Sequence, residues 1–571
     1  MKKLRQIELL SWRYLLIYAI YALACFLLWY FMLPVFNFRN AGFYLYFALL
    51  VSVPFGIGFT ILAKLFFKNA NKVNTKAYKC KMKLEKFISI EEPESDSSLL
   101  FTGAIVSSAI ILILTLILLL TGVKLFNAGN YSEQLEITQG NHEDLNTIFD
   151  YDSGEVLLPR IDKDLAFKLA EAKLGDYGSQ YSIDYDNFTL ISVNRNGTTE
   201  LIRVTPLEYA TPFVALSRMN KGTIGYIEVN VITQEAKLIK FEDGEGLKYM
   251  PSGVFSKDLD RHIRFNYPST MYNNKYFEID NEGNPYWVVP TIKKEIGMFS
   301  GDNNNGVLVV NPRTGEIKSY KLGDNLPEWL QRAIDETVIA EQANNALTYA
   351  NGYFNTIFAK KDVFQLSDGY NYFIKDGETW YVSCITSPNN NDQTSTGFLI
   401  VNLKTKETIR YYSPGITEMR AREIAVGDAR VKAQNFDSTW PILITYHDVP
   451  TYFVVLKNEV QSQKIVLVNV EDGTLVAIGD TLEEAKQEYE TLLANKGAIS
   501  GDSTDSGTFV VDRIRDLGDK IQFTVVGNEN TYFEVSVSLN LDARFLKEGD
   551  TIEITYKENS MYNIVLTLEQ K

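Results

Sequence analysis

Histidine and cysteine are the side chains that could supply a nucleophile, a general base or a transition-metal ligand, and both are rare in this chain. The 571 residues contain three histidines, His142, His262 and His447, and Cys384 is the only cysteine beyond residue 123. None of the histidines stands in an HExxH pattern or near a cysteine pair at zinc-ligand spacing. Cys384 lies in a predicted strand with no histidine placed to activate it, which favours a small buried hydrophobe. We therefore predict no catalytic, cofactor-binding or metal-binding residue.

Two acidic loops have some similarity to calcium-binding loops. They are Asp150-Tyr-Asp152-Ser-Gly-Glu155 and Asp302-Asn-Asn-Asn-Gly306. Neither keeps the D-x-[DN]-x-[DN]-G order with a glutamate at position 12. Turn formation explains both loops, and the sequence leaves open whether they bind calcium.

Four copies of one pattern organise the chain beyond these residues: an apolar strand ending in Val-Asn, a turn, and a second strand. The copies are Tyr226–Ile239, Val307–Tyr320, Phe398–Tyr411 and Val466–Ile478. Their asparagines, Asn230, Asn311, Asn402 and Asn469, lie 81, 91 and 67 residues apart. Self-similarity at domain-sized spacing indicates repeated modules.

The residue types in these hairpins have a mechanical reason to recur. An asparagine side chain can accept a hydrogen bond from the backbone two residues on, which opens a turn. Gly315 and Gly473 can adopt a positive φ at the fourth position after the asparagine. Gln234 and Lys406 occupy that position in the other two copies. We therefore expect those two turns to be looser or of another type.

Aromatic pairs precede the last three hairpins, and helical patterns precede the modules. The pairs are Tyr286-Trp287, Trp380-Tyr381 and Tyr452-Phe453. Alternation should place one ring of each pair in a core and the other on the opposite face, where exposed rings would suit a protein or glycan. Helices are predicted over Asp162–Leu174 (apolar face Leu165, Leu169 and Ala172), Leu326–Ala350 (capped by Asn325), Glu418–Ala433 and Leu482–Ala494. Five short strands in Thr508–Lys571 predict a small barrel of the OB or SH3 type.

Three apolar segments near the N-terminus are each long enough to cross a bilayer. They are about Tyr14–Phe36, Phe43–Phe67 and Leu99–Val123. Lysines concentrate between the second and third segments, so the positive-inside rule places the N-terminus and that loop in the cytoplasm and residues 124–571 outside. The net charge is +7 over residues 1–123 and −22 over the remainder. An acidic exterior portion excludes nucleic acid as a partner, because binding requires lysines and arginines that neutralise phosphates.

The helix–strand–strand–hairpin unit with its closing V-N-x-x-T-G-E turn resembles the PepSY domain. The turn is kept most fully in Val307–Tyr320, and Asn stands where the family usually has Asp. The resemblance covers about Ile161–Leu482 as four divergent units. It implies an exported bacterial protein that holds protein partners outside the cytoplasm, and it transfers no catalytic residue. The scarcity of cysteine, which prevents a disulfide within the exterior portion, also favours a bacterial surface protein.

Together these features predict an α+β protein: three transmembrane helices, an extracellular array of about four helix-plus-antiparallel-sheet (PepSY-like) modules, and a small C-terminal β-barrel. The predicted divisions are 1–123 for the anchor with a basic cytoplasmic loop at 64–98, 124–159 for a membrane-proximal connector, 160–325 for modules 1 and 2, 326–495 for modules 3 and 4, 496–507 for a linker, and 508–571 for the barrel.

The function predicted from this organisation is that of a non-enzymatic bacterial plasma-membrane protein. Its extracellular modules would bind or scaffold other surface proteins, since repeated modules build binding surface. Two alternatives stay open: a membrane-anchored regulator or sensor of an extracellular peptidase or cell-wall hydrolase, and an accessory subunit of a secretion or transport complex. The expected partners are proteins at the outer face and the lipid bilayer, with anionic lipid at the lysine loop as a further candidate. No cofactor is expected, and the oligomeric state is left open.

Overall fold

A computed structural model describes residues 16, 19–70, 96–141, 148–150, 159–388, 393–458, 463–496, 505–518, 520–537, 540–557 and 563–571. The fold over these residues is a mixed α+β arrangement with four open sheets and one closed barrel. The α+β class and the five-stranded barrel are therefore confirmed. Most of the lysine loop, His142, and most of the predicted linker lie outside the described residues.

The prediction of three transmembrane helices is wrong. Within the described residues, one helix has a stretch that is both long and apolar enough to cross a membrane, Gly103–Leu120. It forms most of α3 (Asp96–Leu120), which follows α1 (Ala19–Met32) and α2 (Ala41–Ala70). The described part of α1 rises about 21 Å at 1.5 Å per residue.

Pro34 accounts for the end of the first of these helices. It disfavours the helical conformation at the preceding residue, and Leu33 has a φ of 48°. Helix α1 therefore ends at Met32, before the end of the predicted segment Tyr14–Phe36. Helix α2 continues past Pro54 to Ala70.

Module 1 and module 2 follow α4 (Lys124–Ser132) and β1 (Thr138–Gly140). Module 1 contains α5 (Lys163–Leu174), β2 (Tyr181–Ile183), β3 (Thr189–Arg195), β4 (Thr198–Tyr209), α6 (Pro212–Arg218), β5 (Gly225–Asn230) and β6 (Ala236–Lys240). Module 2 contains α7 (Leu259–Asn266), β7 (Tyr276–Ile279), β8 (Pro285–Ile296), β9 (Ser300–Val310) and β10 (Ile317–Lys321). The strands form two antiparallel sheets, sheet 1 with order β2-β4-β5-β6 and β3 also paired to β4, and sheet 2 with order β10-β9-β8-β7.

Module 3 and module 4 repeat the combination of helix and antiparallel strands. Module 3 contains α8 (Glu336–Tyr349), α9 (Tyr353–Ile357), β11 (Gln365–Leu366), β12 (Asn371–Lys375), β13 (Glu378–Thr386), β14 (Thr394–Asn402) and β15 (Thr408–Ile416). Module 4 contains α10 (Glu418–Gly427), β16 (Asp437–Ser438), β17 (Ile442–Tyr446), β18 (Val449–Lys457), β19 (Gln463–Asn469), β20 (Val476–Gly479) and α11 (Leu482–Asn495). Their strands form sheets 3 and 4, and β1 adds to sheet 3 in parallel with β15.

The four sheets pack face to face in pairs. Sheets 1 and 2 share a core that includes Ile202 and Tyr226 on one side and Trp287 on the other. Sheets 3 and 4 share a second core around Cys384 and Tyr452. The outer faces of sheets 1, 3 and 4 are covered by α5, α8 and α11 respectively. Both faces of each sheet are thus buried, and apolar area removed from water is the main stabilising term.

The second ring of each aromatic pair is therefore covered and does not form an exposed row. Tyr286 stacks on Trp329 at a centroid distance of 4.5 Å, and Trp380 stacks on Phe373 at 6.1 Å. Tyr452 and Phe453 are both buried. These rings pack within the cores of the protein.

The helices predicted over Leu326–Ala350 and Glu418–Ala433 differ from the structure at their ends, and the second, α10, ends at Gly427. Helix α8 begins at Glu336 and not at Leu326, and its N-cap is Asp335, whose Oδ1 accepts from the N–H of Thr337 at 2.9 Å. The preceding segment stays non-helical because its backbone bonds other modules, as with Ile334 N–H to Leu403 O at 2.9 Å. Helix α5 matches its predicted bounds, but Ala172 is exposed while Ala166 and Ala170 are fully buried.

Three of the four asparagine turns are the same. In each, the asparagine Oδ1 accepts from the backbone N–H groups two and three residues on, at 2.8–3.1 Å. Gln234 and Lys406 take positive φ values of 65° and 70°, close to the 83° of Gly315. Our expectation of different turns there is wrong. The exception is the Asn469 turn, where Asn469 N–H bonds Leu475 O, one residue further along than in the other copies, and Gly473 has no positive φ.

This contrast predicts unequal effects of two glycine substitutions. Gly315→Ala should lower the free energy of unfolding by about 2 kcal/mol, because it places a Cβ at positive φ and against a ring. That Cβ would lie 2.4 Å from Cζ of Tyr249. Gly473→Ala is the matched control, since its Cβ would meet only side-chain methyl groups, of Ile424 at 3.0 Å and of Ile416 at 3.3 Å. Thermal unfolding checks both, and equal losses would contradict the assignment of the two turns.

The C-terminal barrel has the strand order β21-β22-β23-β25-β24, with β24 closing onto β21. Its strands are β21 (Asp505–Asp516), β22 (Lys520–Val525), β23 (Asn528–Ser536), β24 (Thr551–Lys557) and β25 (Asn563–Gln570). Glu490 on α11 connects the barrel to module 4, since Lys557 Nζ lies 3.2 Å from its Oε1. Burial would raise the pKa of Glu490, but hydrogen bonds from His447, Tyr446 and Lys557 outweigh burial and hold it at about 2.

Candidate functional site

A cavity of about 430 Å³ lies where modules 1, 3 and 4 meet, with Tyr276 of module 2 at its wall. Its lining is contributed by the start of α5 and strands β3 and β4, by the segment before α8, by β12, and by β16 with the residues that follow it. The volume suits a small ligand or a few residues of a peptide.

Lys163 and three arginines line this cavity, and two of the arginines, Arg203 and Arg332, reach the start of β3. Arg203 lies on β4 and donates from Nη1 to the backbone oxygen of Phe188 at 3.2 Å. Arg332 lies just before α8 and donates from Nη2 to the backbone oxygen of Leu190 at 3.2 Å. Both guanidinium groups therefore reach the same stretch of chain, at and just before β3. Arg332 is only 2% exposed, so its charge is held away from bulk water.

Several donors in the cavity have no hydrogen-bond partner among the described residues. They are Nε of Arg203, Nη1 of Arg332, the hydroxyl of Tyr276 and Nε1 of Trp440. Burial would lower the pKa of Arg332, but the charges of Tyr372, Glu336 and Glu278 outweigh burial and raise it. Buried charges and polar groups are normally paired, because leaving them unpaired costs several kcal/mol.

The basic groups of the cavity also influence one another. Burial and the charge of Arg332 lower the pKa of Arg203 to about 10. Burial and the charge of Arg203 lower the pKa of Lys163 as well. An anion placed between them would favour the charged form of each group, and the low local dielectric would strengthen that attraction.

Five carboxylates also line the cavity: Asp162, Asp164, Asp186, Glu336 and Asp437. Asp162 accepts from the backbone N–H of Leu165 at 2.9 Å and forms an ion pair with Lys457. Glu336 accepts from the hydroxyls of Tyr372 and Tyr370. Burial and the charge of Glu336 raise the pKa of Tyr372 well above its ordinary value, so this hydroxyl stays protonated as a donor. The lining thus combines basic and acidic side chains with buried donors that have no partner among the described residues.

The residues considered for chemistry in the sequence lie away from this cavity. His262 on α7 has Nε2 2.7 Å from the backbone oxygen of Gly315, and burial lowers its pKa. His447 lies in the β17–β18 turn, with Nε2 3.5 Å from Oε1 of Glu490. Cys384 is fully buried in the core between sheets 3 and 4, and burial raises its thiol pKa well above the ordinary value.

The acidic loops show no calcium-type arrangement in the described part of the chain. The segment Asp302–Gly306 lies within β9 and not in a turn as predicted, and Asp302 pairs with Lys294 on β8. Of the first loop only Asp150 is described, in an isolated bridge to Thr445. A search of the described residues finds no group of three or more His, Cys, Asp and Glu that could hold a metal ion.

Sequence reasoning missed Arg203 and Arg332. A weak signal was present for Arg203, because it interrupts the mostly apolar segment Leu201–Leu207, whereas Arg332 stands beside another polar residue, Gln331. A charged residue in an otherwise buried segment requires a specific partner. The sequence did not show that these two arginines, 129 positions apart, meet at one cavity.

Comparison with known proteins identifies no family. No family model matches this chain, and neither does any curated protein. A solved structure described as structural mimicry for functional antagonism is similar over 24% of this chain and 88% of its own, with 11% identity and a TM-score of 0.11. A tryptophan-to-alanine mutant of an apocarotenoid oxygenase from Synechocystis is similar over 52% of this chain and 60% of its own, with 8% identity and a TM-score of 0.16. Likenesses this distant say nothing about function.

Proposed function

We propose that this chain is a non-enzymatic bacterial cell-envelope protein, anchored in the plasma membrane, whose extracellular modules bind a protein partner through an acidic segment of that partner. The observation that carries the proposal is the pair of arginines in the cavity, each with an unpartnered donor. A carboxylate matches the planar fork of a guanidinium and would satisfy both charge and hydrogen bonding.

The anchor in this proposal is helix α3. Its stretch Gly103–Leu120 is long and apolar enough to cross a bilayer, and many of its large side chains, such as Ile110, Leu116 and Leu120, are exposed. Lysines before this helix place that side in the cytoplasm by the positive-inside rule, which leaves residues 124–571 outside. The PepSY resemblance supports the same location.

A peptide is favoured over a smaller anion by the rest of the lining. Tyr370, Tyr372 and Trp440 offer aromatic surface beside the arginines, and Asn371 and Thr439 offer amide and hydroxyl groups. Such a mixture suits the side chains and backbone of a short segment as well as its charge.

The test uses the full-length protein in detergent and two tetrapeptides, tetraglutamate and the neutral tetraglutamine. Tetraglutamate should raise the melting temperature of the wild type, because a ligand that binds only the folded state stabilises it. The rise should be absent in Arg203→Met and kept in Arg420→Met, an exposed arginine of α10 that does not line the cavity. Tetraglutamine should have no effect on any of the three proteins.

Affinity capture of the tagged protein from gently solubilised native membranes completes the test. A partner recovered by the wild type and by Arg420→Met, and reduced at least tenfold with Arg203→Met, is the expected result. A captured peptidase or cell-wall hydrolase would indicate that this protein regulates that enzyme. A captured membrane assembly would indicate that it is an accessory subunit of a secretion or transport complex. Stabilisation by inorganic phosphate but not by tetraglutamate would contradict the peptide ligand. No stabilisation and no captured partner would contradict the proposal.

A further inference from the structure

Exposed large apolar side chains cluster beside the end of helix α3. They are Phe126 on α4, Phe354 and Ile357 on α9, and Phe358 directly after α9, with 78%, 61%, 51% and 80% of their surface exposed. We call these four residues the α9 patch. Exposed apolar clusters of this kind mark a surface that meets a protein or a membrane.

The patch is held close to the end of α3 by short-range contacts. Tyr131 donates to the backbone oxygen of Gly122 at 2.8 Å, and Asn127 donates to that of Thr121 at 2.9 Å. Helix α4 therefore folds directly onto the residues that follow Leu120. Helices α8 and α9 pack against α4, and Lys124 Nζ lies 5.8 Å from the ring centroid of Tyr349 on α8.

The depth of the patch follows from these contacts. Phe126 is six residues beyond Leu120, and residues 121–123 form hydrogen-bonded turns, with the N–H of Val123 bonding the oxygen of Leu120, so this connection is compact. An interfacial segment buries its apolar face about 5–10 Å into the boundary between headgroups and acyl chains. A bilayer crossed by Gly103–Leu120 would therefore have its surface at the level of Phe126 and α9.

The composition and order of the patch also fit a lipid surface. Its rings are followed by Lys360 and Lys361, both exposed, and basic residues near a bilayer attract anionic headgroups. The loop is already ordered, because Asn351 and Asn355 both donate from Nδ2 to the backbone oxygen of Lys361, at 3.2 and 2.9 Å. Little conformational entropy would then be lost on binding.

We propose that the α9 patch inserts into the leaflet next to the ectodomain and fixes module 3 on the membrane. This inference rests on the anchoring by α3 in the proposed function. It adds a second membrane contact, made by a surface helix and not by a spanning one. The orientation of the cavity relative to the bilayer would then be set at two points.

The experiment places an NBD fluorophore at single cysteines in full-length protein reconstituted into phosphatidylcholine–phosphatidylglycerol nanodiscs that contain nitroxide-labelled lipid. Cys80 is replaced by serine in all variants, while Cys25 and Cys384 are buried. Phe358→Cys reports on the patch and Ile117→Cys on the span. Phe545→Cys is the matched control, an equally apolar residue of the barrel that is 69% exposed.

We expect lipid nitroxide to quench the label at position 358 at least half as strongly as at position 117, and not to quench it at position 545. Quenching at 117 without quenching at 358 would overturn the docking of the patch and leave the anchor standing. No quenching at 117 would overturn the anchor and the docking together. A label at 358 that both nitroxide lipid and aqueous iodide fail to quench would show that protein covers the patch, and this too would overturn docking.

Discussion

Replacing Gln331 with leucine should lower the free energy of unfolding by about 4 kcal/mol and the melting temperature by about 10 °C. The Gln331 side chain is buried between β3 and β13. Its Nε2 donates to the backbone oxygen of Ser192 at 2.6 Å, and its Oε1 accepts from the N–H of Ser192 at 3.2 Å and from the hydroxyl of Thr379 at 2.6 Å. Leucine fills a similar volume but leaves these three groups without partners, each at a cost of about 1–3 kcal/mol.

The control for this substitution is Gln434→Leu. Gln434 is exposed and makes one hydrogen bond, to the backbone oxygen of Arg430 at 3.2 Å. Its replacement should change the free energy of unfolding by less than about 0.5 kcal/mol. Differential scanning calorimetry of the full-length protein measures both. Equal small effects would show that Gln331 does not hold modules 1 and 3 together.

Replacing Glu208 with glutamine should stabilise the protein at pH 8 and leave its stability at pH 4.5 nearly unchanged. Burial raises the pKa of Glu208 to about 7. The carboxyl is held neutral in the folded state, so its contribution to stability is full below the unfolded pKa of 4.5 and is lost as the pH rises through 7. The free energy of unfolding of the wild type should fall by about 3 kcal/mol over this pH range. Glutamine does not ionise, so the variant avoids this fall and keeps an acceptor for the N–H of Ser252.

Denaturant unfolding between pH 4.5 and pH 8.5 tests this dependence. Glu242→Gln changes an exposed carboxylate and should follow the wild-type profile. Glu490 affects stability in a different pH range. Because its pKa is lowered in the folded state, its contribution to the free energy of unfolding falls only as the pH drops from 4.5 towards 2. A Glu208→Gln profile parallel to that of the wild type from pH 4.5 to 8.5 would contradict the prediction.

The parts of this fold that could be predicted from sequence are those that local chemistry determines. The four asparagine turns, the bounds of α5 and the strands of the barrel depend on residues close to one another in the chain. The error over Gln234 and Lys406 shows the limit even there. The asparagine side chain, with its two backbone hydrogen bonds, specifies the turn strongly enough that a non-glycine residue accepts a positive φ.

The features that could not be predicted depend on contacts between distant modules. The start of α8 is set by Asp335, which also accepts from Nδ2 of Asn274 at 3.1 Å in module 2. The cavity needs Arg203 from module 1 and Arg332 from the segment between modules 2 and 3. Hydrophobic length alone likewise predicted three membrane spans, and it did not place the end of α1 at Met32, ahead of Pro34.

The outer edge of β3 has no strand beside it, yet its backbone groups are occupied. Leu190 O accepts from Arg332, Ser192 is bonded through both its N–H and its oxygen by Gln331, and the N–H of Asn194 donates to Oδ1 of Asn281 at 3.0 Å. An open edge is a template for pairing with a strand of another molecule, which leads to aggregation. Side chains from neighbouring modules close this edge, so correct docking of the modules also protects the ectodomain from self-association through sheet 1.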